Sequence, residues 1–279
     1  MISILPEELK AWSQMVYQAC GIVLDDSKGY LLESRLCQLL KETSSETFSE
    51  LLFKVKSDAS KALSRKVIDA MTTNETSFFR DSSPFDLLQH KILPELIDRK
   101  TKAAGPGATI PIRIWSAASS TGQEVYSIAI ILKELLGDKA AYYPQILGTD
   151  ISDQALKKAS YGVFSRLEIE RGLNPAFLNK WFTVEGDQYK IRDEVRALAT
   201  FKRMNLMESF FFPDKFDIIF CRNVAIYFSE TDKVKLFDKI AQILNPGGAL
   251  IIGSTESITA ISTKFVPQRY LRSVFYQLA

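Results

Sequence analysis

PIRIWSAASSTGQEVYSIAIILKELLG, residues 111–137, changes texture halfway along its length. Its first part, Pro111 to Ala117, sets Ile112, Ile114 and Trp115 in a short β-prone run. Ala117, Ala118, Ser119, Ser120 and Gly122 then follow, all small. From Thr121 to Gly137 the apolar residues recur at helical spacing, and Gly137 punctuates the end. Such a unit, a strand feeding a helix through a small-residue turn, opens a doubly wound sheet. There the small residues let the backbone and the helix N-terminus approach a ligand, and they equally suit plain packing of a helix on a strand.

The same texture continues downstream. YPQILGTDI (143–151) reads as a strand and SDQALKKASYG (152–162) as a helix. TFKRMNL (200–206) and KFDIIFCRN (215–223) read as strands, the second as a buried one. SETDKVKLFDKIAQILNPGG (229–248) reads as a helix with Ser229 as N-cap and glycine at its exit. ALIIGSTES (249–257) is a strand, and KFVPQRYLRSVFYQL (264–278) holds two short strands. Strands alternating with helices predict an α/β fold, a parallel sheet covered on both faces. Residues 172–200, with EGDQ followed by YKIRD, predict a small β insertion.

Upstream the chain reads differently. Residues 1–72 predict helices only, with Leu9, Trp12, Met15 and Val16 on one face and Leu31, Leu32, Leu36, Leu39 and Leu40 on another. Gly21 and Gly29 punctuate the first two helices, and Asp25, Asp26 and Ser27 are candidate caps for the second. Residues 73–110 form a joining segment. TNETSFFR (73–80) breaks the helical pattern, a helix follows from Ser83 to Lys100 with Pro84 in its first turn, and TKAAGPGATIP is a loop. The organisation expected is therefore a helical unit over 1–72, a linker segment and helix over 73–110, and an α/β unit over 111–279.

Composition excludes several chemistries. The chain has 279 residues with a formal net charge of +2, too little basic excess to argue for nucleic acid. Its sole histidine is His90, in a helical pattern, which disfavours histidine-built metal sites and Ser-His-Asp triads; no metal is expected. Cys20, Cys37 and Cys221 form no CxxC pair and read as free thiols of a reducing compartment. MISILPEELK lacks the shape of a secretory signal, and no apolar run approaches the ~18 residues of a membrane span. A cytoplasmic, monomeric protein without membrane insertion is the expectation.

In a doubly wound sheet ligands bind beyond the carboxyl ends of the strands. Those ends carry Gly148-Thr149-Asp150, Asn205-Leu206 and Cys221-Arg222-Asn223. Asp150 suits a ribose diol, since a carboxylate accepts two hydrogen bonds; it equally suits a helix N-cap.

TNETSFFRD, WSAASSTGQEVYSIA, GTDIS, FDIIFCRNVAIYF and LNPGGALIIGSTES, in this order and spacing, resemble the CheR-type chemoreceptor glutamate methyltransferases. The resemblance covers nearly the whole chain, including the leading helices. It implies a class I S-adenosylmethionine-dependent methyltransferase, a Rossmann-like doubly wound sheet with a small all-α N-terminal domain and a small β insertion. S-adenosylmethionine would be the cofactor and S-adenosylhomocysteine its product. Asn74, Thr76, Arg80, Ala117, Glu124, Asp150, Asn205, Leu206, Arg222 and Asn223 are implied as cofactor-binding, with Glu124 at the amino-acid end and Asp150 at the ribose. Arg80 and Tyr227 are implied at the transfer site. The other readings are a packed aromatic for Tyr227, a surface ion pair for Arg80, and a first-turn carboxylate favoured by the helix dipole for Glu124.

The implied partner is the cytoplasmic helical region of a methyl-accepting chemoreceptor. Lys28, Arg35 and Lys41, spaced 7 and 6 apart, are candidate docking cations; the other reading is a solvated face, and residues 1–72 hold nine Lys/Arg against ten Asp/Glu. Two departures from the family stand out: GQE at 122–124, where relatives often have GEE, and a divergent β insertion. The implied chemistry needs no imidazole, because a glutamate carboxylate with pKa near ~4.3 is already ionised at neutral pH. A methyltransferase of another acceptor and a non-catalytic cofactor-binding signalling module are the alternatives.

Overall fold

The computed structural model describes residues 3–105, 107–137 and 139–279. Four helices come first: α1 (Pro6–Cys20), α2 (Gly29–Glu42), α3 (Phe48–Ser57) and α4 (Ala62–Met71). Pro6 starts α1, and the Glu8 carboxylate accepts the free Leu5 N–H at 2.9 Å while also taking the Ser49 N–H at 2.7 Å. One buried carboxylate thus closes the end of α1 and joins it to α3. Trp12, Val16, Leu32, Leu36, Phe48 and Leu51 form the core of this bundle, and the Trp12 indole donates to the Phe48 carbonyl at 3.0 Å. Asp25 caps a 3₁₀ turn, Asp26–Lys28, ahead of α2; the side chain of Asp26 lies outside the described set.

Residues 73–82 cross to the second unit. There α5 (Ser83–Leu87) passes through a π turn, Leu88–Ile92, into α6 (Leu93–Ala103). His90 stands exposed in that turn, as its helical pattern predicts for a surface residue. The alternating region then runs β1 (Ile110–Ala117), α7 (Gln123–Leu136), β2 (Tyr142–Asp150) and α8 (Asp153–Tyr161). An insertion follows: β3 (Val163–Ser165), α9 (Arg166–Glu170), α10 (Pro175–Trp181), β4 (Phe182–Glu185), β5 (Gln188–Ile191) and α11 (Asp193–Arg196). The chain ends with β6 (Ala199–Arg203), β7 (Phe216–Cys221), a 3₁₀ turn Ala225–Tyr227, α12 (Glu230–Ile243), β8 (Leu244–Ile252), β9 (Phe265–Tyr270) and β10 (Ser273–Leu278).

The main sheet has the order β6-β2-β1-β7-β8-β10-β9. Its first five members are parallel, β10 is antiparallel to β8, and β9 pairs with β10 at the edge. The chain winds outward from β1 through β2 to β6, then returns to β7 and winds the other way, so the switch point lies between β1 and β7. All six residues of β7 are buried, as a central strand covered on both faces requires. This is the doubly wound α/β sheet expected, with the all-α unit preceding it in the chain and packed over the carboxyl ends of its strands.

Two elements differ from the sequence reading. The helix of 229–248 ends at Ile243, and Asn245, Pro246, Gly247 and Gly248 belong to β8. Pro246 forces its predecessor out of the helical region, so the turn arises before the glycines rather than at them. The small sheet, order β3-β5-β4, recruits Val163–Ser165, which lies ahead of the 172–200 stretch. That short strand follows Gly162 directly and resembles a helix exit in sequence. Among the described residues no helix is long and apolar enough to cross a membrane.

Candidate active site

A cleft opens where the carboxyl ends of β1, β2 and β7 face the helical bundle. Its sheet side is lined by Ala118, Ser119, Ser120, Glu124, Asp150, Asn205, Leu206, Arg222, Asn223 and Tyr227. Asn74, Glu75, Thr76 and Arg80 enter from the crossing segment, and Cys20, Ile22, Leu24, Leu31 and Met71 supply an apolar wall from the bundle.

The turn after β1 carries strain. Ala118, Ser120 and Gly122 have φ of 58°, 50° and 95°, an alternation that points successive backbone groups to opposite sides. Gly122 is required for helix packing: a Cβ there would lie 2.9 Å from Ala159 Cβ. The small residue at this position therefore lets α7 pack on α8, while Ala118 to Ser120 face the cleft. Ala117, expected among the binding residues, is buried in the core with Trp115 and does not line the cleft. Strand alternation turns its side chain into the sheet face, and the next residue takes the cleft position.

Asp150 at the tip of β2 is 7% exposed. Its two oxygens accept the Ser120 N–H at 2.8 Å and the Ser152 N–H at 2.9 Å. Burial pushes its carboxyl above the usual range, partly offset by those N–H donors. It is not the N-cap of α8; Ser152 is, accepting the Ala155 N–H at 3.1 Å. The carboxylate instead braces the turn after β1 against the tip of β2.

Arg222 leaves β7 and lies 2% exposed beneath the cleft. Its guanidinium donates to Glu124 at 2.9 Å, to Asp81 at 2.9 Å and to the Arg80 carbonyl at 2.8 Å. Glu124 also accepts the Ser116 hydroxyl at 2.7 Å. So Glu124 is no free first-turn carboxylate: together with Asp81 it neutralises a buried cation. Arg80 forms no ion pair among the described residues and donates to the Glu75 carbonyl at 3.1 Å, while Glu75 pairs with Arg171 at 2.8 Å. Asn74 contributes its carbonyl, which accepts the Ser120 hydroxyl at 3.0 Å.

Asn205 lines the cleft, but its amide is spent internally. It donates to the Ala19 carbonyl at 3.0 Å and accepts the Met207 N–H at 3.0 Å. Asn223 sits at φ 55°, and its N–H is held by Glu256 at 2.8 Å; the same carboxylate oxygen takes the Gly253 N–H at 2.7 Å. Tyr227 is half-buried on the cleft wall, and its carbonyl accepts the Val23 N–H at 3.0 Å. Gly21 closes this seam at φ 76°, where a Cβ would strike Met207.

The candidate docking cations separate. Arg35 turns into the cleft and donates to the Met71 carbonyl and to Thr73 Oγ1 at 3.0 Å, clasping α2 to the crossing segment. Lys28 also lines the cleft, from the 3₁₀ turn, and pairs with Asp25 at 3.1 Å. Lys41 is exposed at the far end of α2. A spacing of six residues turns the helix by about 600°, some 120° short of two full turns, so Arg35 and Lys41 do not share a face.

Residues not assigned from sequence include Asp81, Glu256 and the bundle wall. A buried arginine needs carboxylate partners, so Arg222 was the signal for Asp81, which sits inside the FFRD motif. Nothing local in STES marks Glu256. Two polar side-chain atoms in this cleft, Ser119 Oγ and Arg222 Nε, are buried without a protein partner. A polar ligand fits such a place, since buried polar groups are nearly always hydrogen-bonded.

Comparison with known proteins agrees with this geometry. The family description "CheR methyltransferase, SAM binding domain" matches residues 74–271, and "CheR methyltransferase, all-alpha domain" matches residues 7–72. A "Chemotaxis protein methyltransferase" of Vibrio parahaemolyticus is 42% identical over 280 residues, covering 99% of this chain and 98% of that one. One from Vibrio anguillarum is 42% identical with the same coverage, and one from Pseudomonas aeruginosa is 39% identical over 86% of each chain. The chain belongs to the CheR methyltransferase family, with its all-α domain followed by its S-adenosylmethionine-binding domain, which holds the whole main sheet.

Proposed function

We propose that the protein transfers the methyl group of S-adenosylmethionine to glutamate side chains of chemoreceptors, forming 5-O-methyl esters. The observation that carries this reading is the cleft itself: Asp150, the neutralised Glu124–Arg222–Asp81 cluster and two unpartnered polar atoms, closed by an apolar wall. The names of the relatives, chemotaxis protein methyltransferases, support the choice of acceptor.

The donor supplies an electrophilic methyl on a sulfonium centre. Asp150 would hold its ribose hydroxyls, the backbone after β1 would approach its adenosyl part, and Glu124 would meet its ammonium group. Ser119 and Arg222 would satisfy their free polar atoms on it. Cys20, Ile22, Leu24 and Met71 would keep water from the site; burial pushes the Cys20 thiol up, which suits a wall rather than a nucleophile.

An ionised glutamate needs no base. It needs alignment and loss of its water, and orientation of this kind can supply up to ~7–11 kcal/mol. A cation that bound the carboxylate tightly would weaken it as a nucleophile. Arg222, the most buried cation here, is already neutralised by two carboxylates, leaving Arg80 as the guanidinium able to orient the acceptor. Tyr227 would line the transfer site. We read the bundle of residues 1–72 as the acceptor-facing unit and residues 73–110 as part of the donor site; the protein would work in the cytoplasm.

The test is transfer of labelled methyl groups from S-adenosylmethionine to receptor-containing membranes, followed by mild alkali. Label on the receptor that alkali releases as methanol supports a carboxyl ester. Alkali-stable label would assign a different acceptor.

A further inference from the structure

The hairpin at the sheet edge presents a surface that the cleft does not use. β10 runs antiparallel to β8, so the turn between β9 and β10 projects from the same end of the sheet as the cleft. Tyr270 pairs with Ser273, leaving Leu271 and Arg272 as a two-residue turn. Leu271 has φ 52° and is 85% exposed. A positive φ at the first turn position alone is the type II′ pattern, where glycine is the usual residue. A leucine there carries backbone strain and buries almost nothing, so the fold gains nothing from it.

Charge surrounds this knob. Arg269 and Arg272 are exposed and have no ion-pair partner among the described residues. Both border a cleft of about 410 Å³ that Ser254, Ser257 and Thr259 also line. The Ser273 hydroxyl donates to the Ser83 carbonyl at 3.0 Å, which fixes the tip against the segment that carries Arg80 and Asp81. Strands lie about 4.8 Å apart, so two to three steps along the sheet place the tip about 10–15 Å from the end of β7, roughly the width of one α-helix.

We propose that the tip, with Arg269, Leu271 and Arg272, is a second contact surface for the acceptor, gripping an acidic helical segment of the chemoreceptor beside the glutamate being methylated. This rests on the function proposed above. A helix offering one carboxylate to the transfer site would bring the next turns of the same face over the tip. Leu271 would meet its apolar stripe, and the two guanidinium groups would meet neighbouring carboxylates. The surface selects for acidic flanking sequence and contributes to acceptor binding, not to the chemical step.

Two variants test it, with wild type assayed alongside on receptor membranes. Arg269→Glu combined with Arg272→Glu is expected to raise the KM for receptor about tenfold or more, with kcat within about twofold of wild type. Affinity for S-adenosylhomocysteine should be unchanged, and the salt dependence of KM should flatten. Leu271→Gly relieves the turn, so it should melt higher while raising the receptor KM several-fold; a purely structural leucine would give the higher melting point alone. Unchanged KM in both variants overturns the proposal while leaving the methyltransferase reading intact. Wild-type binding to anionic vesicles free of receptor, lost in the double variant, assigns the surface to lipid and also overturns it. A wild type that labels no receptor carboxyl group defeats both readings together.

Discussion

The two ends of the main sheet are built on opposite principles. At the cleft end, Ala118, Ser120 and Asn223 hold left-handed backbone, and Ser119 Oγ and Arg222 Nε lack partners. At the other end, Asp217 at the start of β7 is 1% exposed, yet both its oxygens are engaged. Lys100 reaches one at 2.7 Å together with the Arg113 N–H at 2.9 Å, and Asn245 reaches the other at 2.9 Å. Arg99 adds a bond to the Gly247 carbonyl at 2.9 Å. Left-handed backbone costing about 1–3 kcal/mol per residue gathers where a ligand will meet it, while the opposite end, although Arg113 Nε is also buried there without a partner, ties α6, β1, β7 and β8 together.

Breaking that tie should give the largest effect on stability. Asp217→Ala strands Lys100 and two further donors, so we expect a loss of about 3–5 kcal/mol in urea unfolding. The folded fraction should still bind S-adenosylhomocysteine within about twofold of wild type. An equal loss of ligand affinity would show that the two ends are not separable. Next in size is Arg80→Ala, expected to lower turnover about a hundredfold, or about 2.7 kcal/mol, with little change in melting temperature. Among the described residues its guanidinium holds only the Glu75 carbonyl, so the fold has little stake in it. Normal turnover in this variant removes Arg80 from the mechanism.

The same contrast explains what could be read in the sequence. The cleft end was legible because each strand terminates in a polar or small group: Ser119, Asp150, Asn205 and Arg222 break apolar runs, and a break at a strand end marks the ligand edge. The alternation of strands and helices was legible for the same reason. What stayed hidden depends on long-range pairing. Asp217 looks like one acidic residue opening a strand, and only the fold shows Lys100 arriving from 117 residues away. Glu256 serves Asn223 from 33 residues away, and Arg35, apparently a docking cation, turned inward to its own chain. Ala117 failed by a single position, because alternation decides which neighbour faces the cleft.

Asp150 sharpens the comparison, since it belongs to the cleft end yet braces its own turn. Asp150→Asn keeps an acceptor for one N–H and loses the charge, so S-adenosylhomocysteine affinity should fall about tenfold in calorimetry. Burial raises the Asp150 carboxyl, so the anion is lost earlier than ordinary carboxylates as pH drops. Wild-type affinity should therefore weaken on the acid side above the usual carboxylate range, and Asp150→Asn should lack that limb. Stability moves the other way. A raised folded pKa contributes stability that is present below the unfolded pKa and lost as pH rises through the folded one. At neutral pH relief of the buried charge should offset the roughly 1–3 kcal/mol cost of the N–H left without an acceptor, so urea unfolding should place the variant within about 2 kcal/mol of wild type, and a larger loss would make bracing the turn the main role of Asp150.

The smallest expected effect tests the seam between the bundle and the sheet. Tyr17 donates to Asp232 at 2.7 Å, beside the Val23–Tyr227 and Asn205–Ala19 links. Tyr17→Phe removes one hydrogen bond and should cost about 0.5–1.5 kcal/mol. Hydrogen bonds from Ser229 and then Tyr17 hold the Asp232 carboxyl below its usual range. Stability from a depressed carboxyl is present above its unfolded pKa and lost as pH falls through the folded one, so the difference between variant and wild type should shrink in acid. The shape of the transition carries more than its midpoint. A single transition with an unchanged urea slope means the bundle and the sheet unfold as one body, and the cleft between them is part of one cooperative core. A split transition means that residues 17–23 hold the bundle on as a separable cover, and S-adenosylhomocysteine, bound between the two, should then merge the transitions again.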